Sequence, residues 1–90
     1  MENTNTNEIE ITDSDIRTLR TEAAQHGDHA QALLCDLALG AVVLDEDTTI
    51  ASLRIAAFLS PKDRRRIAAM DPAEYRSACE DVIRAAREAS

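Results

Sequence analysis

His26, Asp28, His29 and Cys35 fall within ten residues of one another and supply imidazole, carboxylate and thiol, the donors that zinc takes. A zinc site needs such donors to converge on one point. His26 and His29 straddle Gly27 and a helix start at Asp28, so helical spacing does not aim them together. The cysteine-pair motif of common zinc sites is missing as well. The two histidines therefore read as solvated groups on a turn, and no metal is expected. Cys35 and Cys79 are the two thiols of the chain. A nucleophilic cysteine requires a base within hydrogen-bond reach. Cys79 falls on the apolar stripe of its segment and Cys35 lies off the centre of its own, so both read as small hydrophobes in or beside the core.

Two charged clusters offer recognition rather than catalysis. Asp45-Glu46-Asp47 lacks the loop glycine and terminal glutamate of a calcium-binding loop. It reads either as a solvated linker or as a docking surface for a basic partner. Lys62, Arg64, Arg65 and Arg66 form the one dense basic group. On a helix, three consecutive arginines spread over about 200°, which is too broad for one groove-reading edge. The aromatic platforms used for single-stranded nucleic acid are missing too. There is no glycine-rich phosphate loop, no Ser-His-Asp signature and no convincing carboxylate pair. No catalytic residue and no cofactor are assigned, and an enzyme is not expected.

The elements that must position these groups come from a chain of 90 residues, enough for one domain with a modest core. Hydrophobic residues make up 44%, but 16 of them are alanine, with one Phe, one Tyr, no Trp and two Gly. Such a composition favours packed helices over a sandwich or barrel. The 17 acidic residues outnumber the 10 basic ones, for a net charge of −7, which argues against general nucleic-acid binding. No apolar run approaches the roughly 18 residues of a membrane helix. The N-terminal residues have neither the basic region nor the apolar stretch of a signal peptide. A cytoplasmic protein with reduced cysteines and no membrane partner is the expectation.

Residues 1–8 read as a flexible polar tail and 9–90 as a single all-α domain of about five helices. Glu8 to Thr12 alternates polar and apolar and could be a short extended lead-in. Thr12 with Asp15 makes a capping pair, and Ile11 with Ile16 a hydrophobic staple. Ile16, Leu19 and Ala23 form the buried stripe of the first helix, and Gly27 stops it. Asp28 starts the second helix, whose stripe is Ala30, Leu33, Leu34, Leu37, Ala38 and Ala41, with Gly40 as terminator. Residues 40–48 are open to three readings: a helix extension, a turn, or a strand paired with Ile9–Ile11. Thr48 or Thr49 then caps a third helix, apolar all round and therefore central, with Phe58 anchoring the core. Ser60-Pro61-Lys62-Asp63 starts a short fourth helix with Ile67 and Met70 for packing, and Asp71-Pro72-Ala73-Glu74 starts a fifth. That last helix is expected to bury Tyr75, Ala78, Cys79, Val82, Ile83 and Ala86.

One segment, Ile16-Arg17-x-Leu19-Arg20-x-Glu22-Ala23 followed by Gly27-Asp28 and Leu34-Cys35-Asp36-x-Ala38-Leu39, resembles part of small helical proteins of bacteriophages and bacterial mobile elements. A second, Ala78-Cys79-x-x-Val82-Ile83-x-Ala85-Ala86-x-Glu88-Ala89, is similar to the helix that closes such proteins. Residues 41–72 depart from that group, whose connecting segment is shorter and polar. The resemblance carries no activity and no site residue. It implies a setting, a small accessory protein of a phage or mobile element.

The function expected from charge and setting is non-catalytic: occupation of a basic surface on a host protein, as an anti-defence (anti-CRISPR type) inhibitor would do. An acidic surface complements a basic groove and speeds encounter. The residues expected to face that partner are Glu8, Glu10, Asp13, Asp15, Asp45, Glu46 and Asp47. Two alternatives belong to other classes. One is a small nucleic-acid-binding regulator using Lys62, Arg64, Arg65 and Arg66 on phosphates. The other is an assembly protein that oligomerises through apolar surface around Leu39, Ile55 or Leu59.

Overall fold

The computed structural model describes residues 10–89. These form four α-helices: α1 (Asp13–Gln25), α2 (His29–Leu39), α3 (Pro61–Ala68) and α4 (Pro72–Ala89), with two short 3-10 turns, Ile50–Ser52 and Arg54–Phe58, before α3. The expected tail 1–8, the residue Ile9 and the candidate Glu8 lie outside the described residues.

The helix ends follow local side-chain chemistry. Thr12 Oγ1 accepts from the Asp15 backbone N–H at 3.3 Å, while Asp15 Oδ2 accepts from the Thr12 N–H at 2.9 Å. Ile11 and Ile16, on either side of this cap, are both buried in the core. At the other end of α1, Gly27 takes φ 78°, so Asp28 N–H reaches Ala23 O at 2.8 Å and Gly27 N–H reaches Ala24 O at 3.2 Å. These are the paired bonds of a Schellman stop, which needs a residue in the left-handed region. Gly40, at φ 77°, closes α2 the same way: Ala41 N–H bonds to Asp36 O and Gly40 N–H to Leu37 O. Asp28 restarts the chain by accepting from Gln31 N–H, and Ser60 starts α3 by accepting from Asp63 N–H. Asp71 and Glu74 bond each other's backbone N–H groups at the start of α4, with Pro72 at the first helical position.

The centre of the fold is α2. Ala30, Ala32, Leu33, Leu34, Cys35 and Leu37 are all buried, because α1 covers one flank and α4 another. Alanine and cysteine at three of these positions allow close helix approach. Ala41 lies beyond the helix and is exposed, so the expected stripe ends at Ala38.

The segment expected to be a central third helix differs most from the sequence reading. Its backbone bonds run from Ser52 to Thr49, Leu53 to Ile50, Ala56 to Leu53 and Leu59 to Ala56, each spanning three residues. Extended backbone at Leu53 (φ −83°, ψ 145°) separates the two turns. Ser52 Oγ assists by accepting from Thr49 N–H at 3.0 Å and donating to Thr49 O at 2.7 Å, a local alternative to helical pairing. Three residues per turn aligns Ile50, Leu53, Ala56 and Leu59. Ile50, Ala56 and Leu59 are buried and Leu53 is half-buried. Phe58 is thereby turned outward and is 67% exposed, so it does not anchor the core. The count of α-helices among the described residues is four rather than five. Residues 41–49 are irregular, and no strand occurs among the described residues. In α4 only Tyr75 and Cys79 are buried. Ala78 and Ile83 are partly covered, whereas Val82 and Ala86 are exposed.

Two measurements test this arrangement. Leu33→Ala, at the centre of α2, is expected to cost about 2–5 kcal/mol in chemical denaturation, and Phe58→Ala less than about 1 kcal/mol. Equal losses would put Phe58 back in the core. Asp15 is held below the usual carboxylate range, chiefly by the Thr12 N–H, with the Thr12 hydroxyl and the Arg87 guanidinium helping to outweigh the opposing effect of desolvation. A carboxylate with a depressed folded-state pKa stabilises above its unfolded pKa, and this contribution fades as pH falls through the folded value. Melting temperature is therefore expected to drop on acidification below roughly pH 4, with a shallower slope in Asp15→Asn.

Candidate docking groove and the cysteine pair

The chain leaving α2 passes over the start of α4 and leaves an open groove between them. Its floor and walls come from Leu37 of α2, Val42, Val43 and Leu44 of the irregular segment, Ile50 of the first turn, and Met70, Pro72 and Tyr75 at the α3–α4 junction. The volume is about 510 Å³. Val43 is 64% exposed on its wall, a larger apolar exposure than its neighbours Val42 and Leu44, which are half-buried. Asp45, Thr48 and Thr49 complete the rim.

The rim is built by Asp45. Its Oδ1 accepts from Asp47 N–H at 2.9 Å and Thr48 N–H at 2.7 Å, and its backbone N–H donates to Thr48 O at 2.9 Å. Short aspartate side chains stabilise such turns by standing in for backbone acceptors. Asp45 thus shapes the loop, and Glu46 and Asp47 stand exposed beside it.

The described acidic residues named from sequence divide by what they contact. Asp13 pairs with Arg76 at 2.9 Å, and the same guanidinium donates to Ile11 O at 3.0 Å and to Glu80 at 3.1 Å. The Asp13 and Glu80 carboxylates push Arg76 above its ordinary pKa, the Asp13 bond most of all, against the opposing effect of burial. Asp15 serves the α1 cap and lies 3.3 Å from Arg87. It lines a second, shallower groove of about 260 Å³ between α1 and the end of α4, with Leu19, Val82 and Ile83. Glu10 is exposed ahead of α1. Asp13 and Asp15 therefore brace α4 against α1, and Glu46 and Asp47 are the exposed carboxylates next to an apolar groove.

The basic group is also divided. Arg64 donates to Ala56 O at 2.6 Å, tying α3 to the second 3-10 turn, and its Nε is buried with no hydrogen-bond partner among the described residues. Arg66 lies 3.6 Å from Asp63. Lys62 and Arg65 are exposed. Of the surface proposed for assembly, Leu59 is buried and Leu39 and Ile55 are half-buried, so the large exposed apolar side chains are Val43, Phe58 and Val82 instead.

His26 is exposed at the end of α1, whereas His29 packs on Phe58 with ring centroids 4.8 Å apart. No group of three or more His, Cys, Asp or Glu is placed to hold a metal among the described residues. Cys35 and Cys79 are both fully buried, and their sulfurs lie 3.7 Å apart across the α2–α4 contact. Gln31 Nε2 donates to both sulfurs, at 3.7 Å and 3.6 Å. The Cys79 thiol donates to Cys35, which lowers the Cys35 pKa against the effect of burial; donating that proton and burial both raise the pKa of Cys79. Sequence reading found neither this pairing nor the groove. The cysteines are 44 residues apart, and the groove combines residues from four separate segments.

Comparison of the chain with protein-family models, curated proteins and solved structures gives no match. No helix among the described residues is long and apolar enough to cross a membrane.

If Asp45 is the residue that shapes the rim, Asp45→Ala is expected to cost on the order of 1 kcal/mol in denaturant titration, as two backbone N–H groups lose their acceptor. Glu46→Gln should stay within about 0.5 kcal/mol of the parent. The reverse order would show that the loop conformation does not rest on Asp45.

Proposed function

We propose that this chain is a non-catalytic protein-binding protein that docks on a basic partner surface through the groove beside residues 42–48. The observation that carries the reading is the exposed Val43 on an open apolar groove with Glu46 and Asp47 exposed next to it. Interfaces of this kind take most of their affinity from an apolar anchor in a pocket, and the charged rim sets orientation and encounter rate. The occupant that fits is a protein segment offering one apolar side chain flanked by Lys or Arg. In the setting implied by the resemblance, this is an accessory protein of a phage or mobile element. Its partner is a host protein whose basic surface it covers, the action of an anti-defence inhibitor. The net charge of −7 supports the sign of the partner. Direct nucleic-acid binding has less support, since Arg64 and Arg66 contact groups of their own chain and leave Lys62 and Arg65 for phosphate.

The test starts with the immobilised chain in bacterial host lysate at low salt, and proceeds with each captured protein purified and titrated. Val43→Asp is expected to weaken binding by about tenfold or more, a loss of roughly 1.4 kcal/mol. Glu46→Gln with Asp47→Asn should slow association and flatten its salt dependence, because exposed charges act mainly on encounter. Lys62→Gln with Arg65→Gln is expected to bind normally. If only this basic pair matters, and the chain binds DNA with a steep salt dependence, the docking reading is wrong and the regulator reading replaces it.

A further inference from the structure

We propose that Cys35 and Cys79 are a modification site at which a peroxide closes an intramolecular disulfide between α2 and α4. Four features support it. The sulfurs are 3.7 Å apart, so side-chain rotation need bring them only roughly 1.7 Å closer to reach disulfide bonding distance. They sit on two packed helices that hold them opposite each other, with no backbone rearrangement needed to make them neighbours. Gln31 donates one amide nitrogen to both, a contact that favours a thiolate over a thiol. Gln31 is itself only half-buried, so the pair lies beneath a residue that reaches solvent, and a local opening of α4 suffices to admit a molecule as small as a peroxide.

Cys35 is the attacking sulfur, since the Cys79 thiol donates to it and so stabilises its anion. The Cys35 thiolate attacks one oxygen of hydrogen peroxide, breaking the O–O bond. It becomes a sulfenic acid, and the departing hydroxide takes up the thiol proton as water. Cys79 sulfur then attacks Cys35 Sγ, forming the S–S bond and expelling the sulfenic oxygen, which leaves as a second water with the Cys79 proton. Two thiols are oxidised and one peroxide is reduced to two waters. A sulfenic acid is captured this way when a resolving thiol stands beside it. The crosslink joins the helices that carry Leu37 and Tyr75, both of which line the docking groove, and it does not depend on that groove's function.

The experiment treats the purified, reduced full chain with hydrogen peroxide. The expected product is a monomer lighter by two hydrogens, with no alkylatable thiol after denaturation and with Cys35 linked to Cys79 in its peptide map. A disulfide closing a loop of this length is expected to raise the melting temperature by on the order of 10 °C, reversed by a dithiol reductant. In Cys79→Ser the crosslink is lost, and Cys35 sulfenic acid accumulates where a diketone trap can label it. Should that variant not fold, the wild-type product decides alone. Two free thiols surviving peroxide that oxidises free cysteine, oxidation of Cys35 beyond sulfenic acid without a crosslink, or disulfides only between molecules each overturn the proposal. So does a crosslink that lowers the melting temperature, since it would have formed from an opened chain.

Discussion

Everything else in this fold is arranged around the burial of α2. A chain with 16 alanines and two large aromatic side chains has little volume with which to fill a core. It meets that constraint by enclosing one short helix between two longer ones. Leu33 and Leu34 supply the bulk, and Ala30, Ala32 and Cys35 let α1 and α4 approach closely. Removing apolar surface from water is the dominant favourable contribution to folding, and the densest run of buried residues here is in α2, from Ala30 to Leu37. The glycine stops at Gly27 and Gly40 follow from the same constraint. The chain must reverse at once on either side of α2 to bring cover over it.

The charged residues hold this arrangement in register rather than supplying much of its stability. Arg76 reaches from α4 to Asp13 and to Ile11 O, Arg87 lies near Asp15, and Arg20 meets Asp36 at 2.7 Å. These pairs are partly exposed, and an ion pair open to solvent contributes about 0–1 kcal/mol. They fix how α4 and α2 lie against α1. In doing so they use acidic residues that a reading of net charge alone would assign to a partner. Where the chain runs irregularly, between α2 and the 3-10 turns, Glu46 and Asp47 stand exposed beside exposed apolar surface. The candidate recognition surface therefore lies where secondary structure gives out, as binding surfaces commonly do.

Much of the architecture was legible in the sequence because helix ends are local. Thr12 with Asp15, Asp28 with Gln31, Ser60 with Pro61 and Asp63, and Asp71 with Pro72 and Glu74 each satisfy backbone groups within four residues of themselves. The same holds for the left-handed stops at Gly27 and Gly40. An apolar period of 3.6 in residues 30–38 needed no partner to be recognised as a buried face.

The sequence by itself therefore determined a helical fold class and the places where the four α-helices begin, since those depend on bonds between near neighbours. It also held an unread hint for residues 50–59. Ile50, Leu53, Ala56 and Leu59 recur every three residues, the period of a 3-10 turn, but an apolar-rich α-helix accommodates the same residues. Contact with α2 and α3 decided between them, and with that decision Phe58 passed from core to surface. Tertiary structure alone brought the sulfurs of Cys35 and Cys79 together, gave Asp13 and Asp15 to the arginines of α4, and opened the groove between Val43 and Tyr75. Each of these joins residues far apart in the chain, and no local pattern encodes a distance that exists only once the helices have packed.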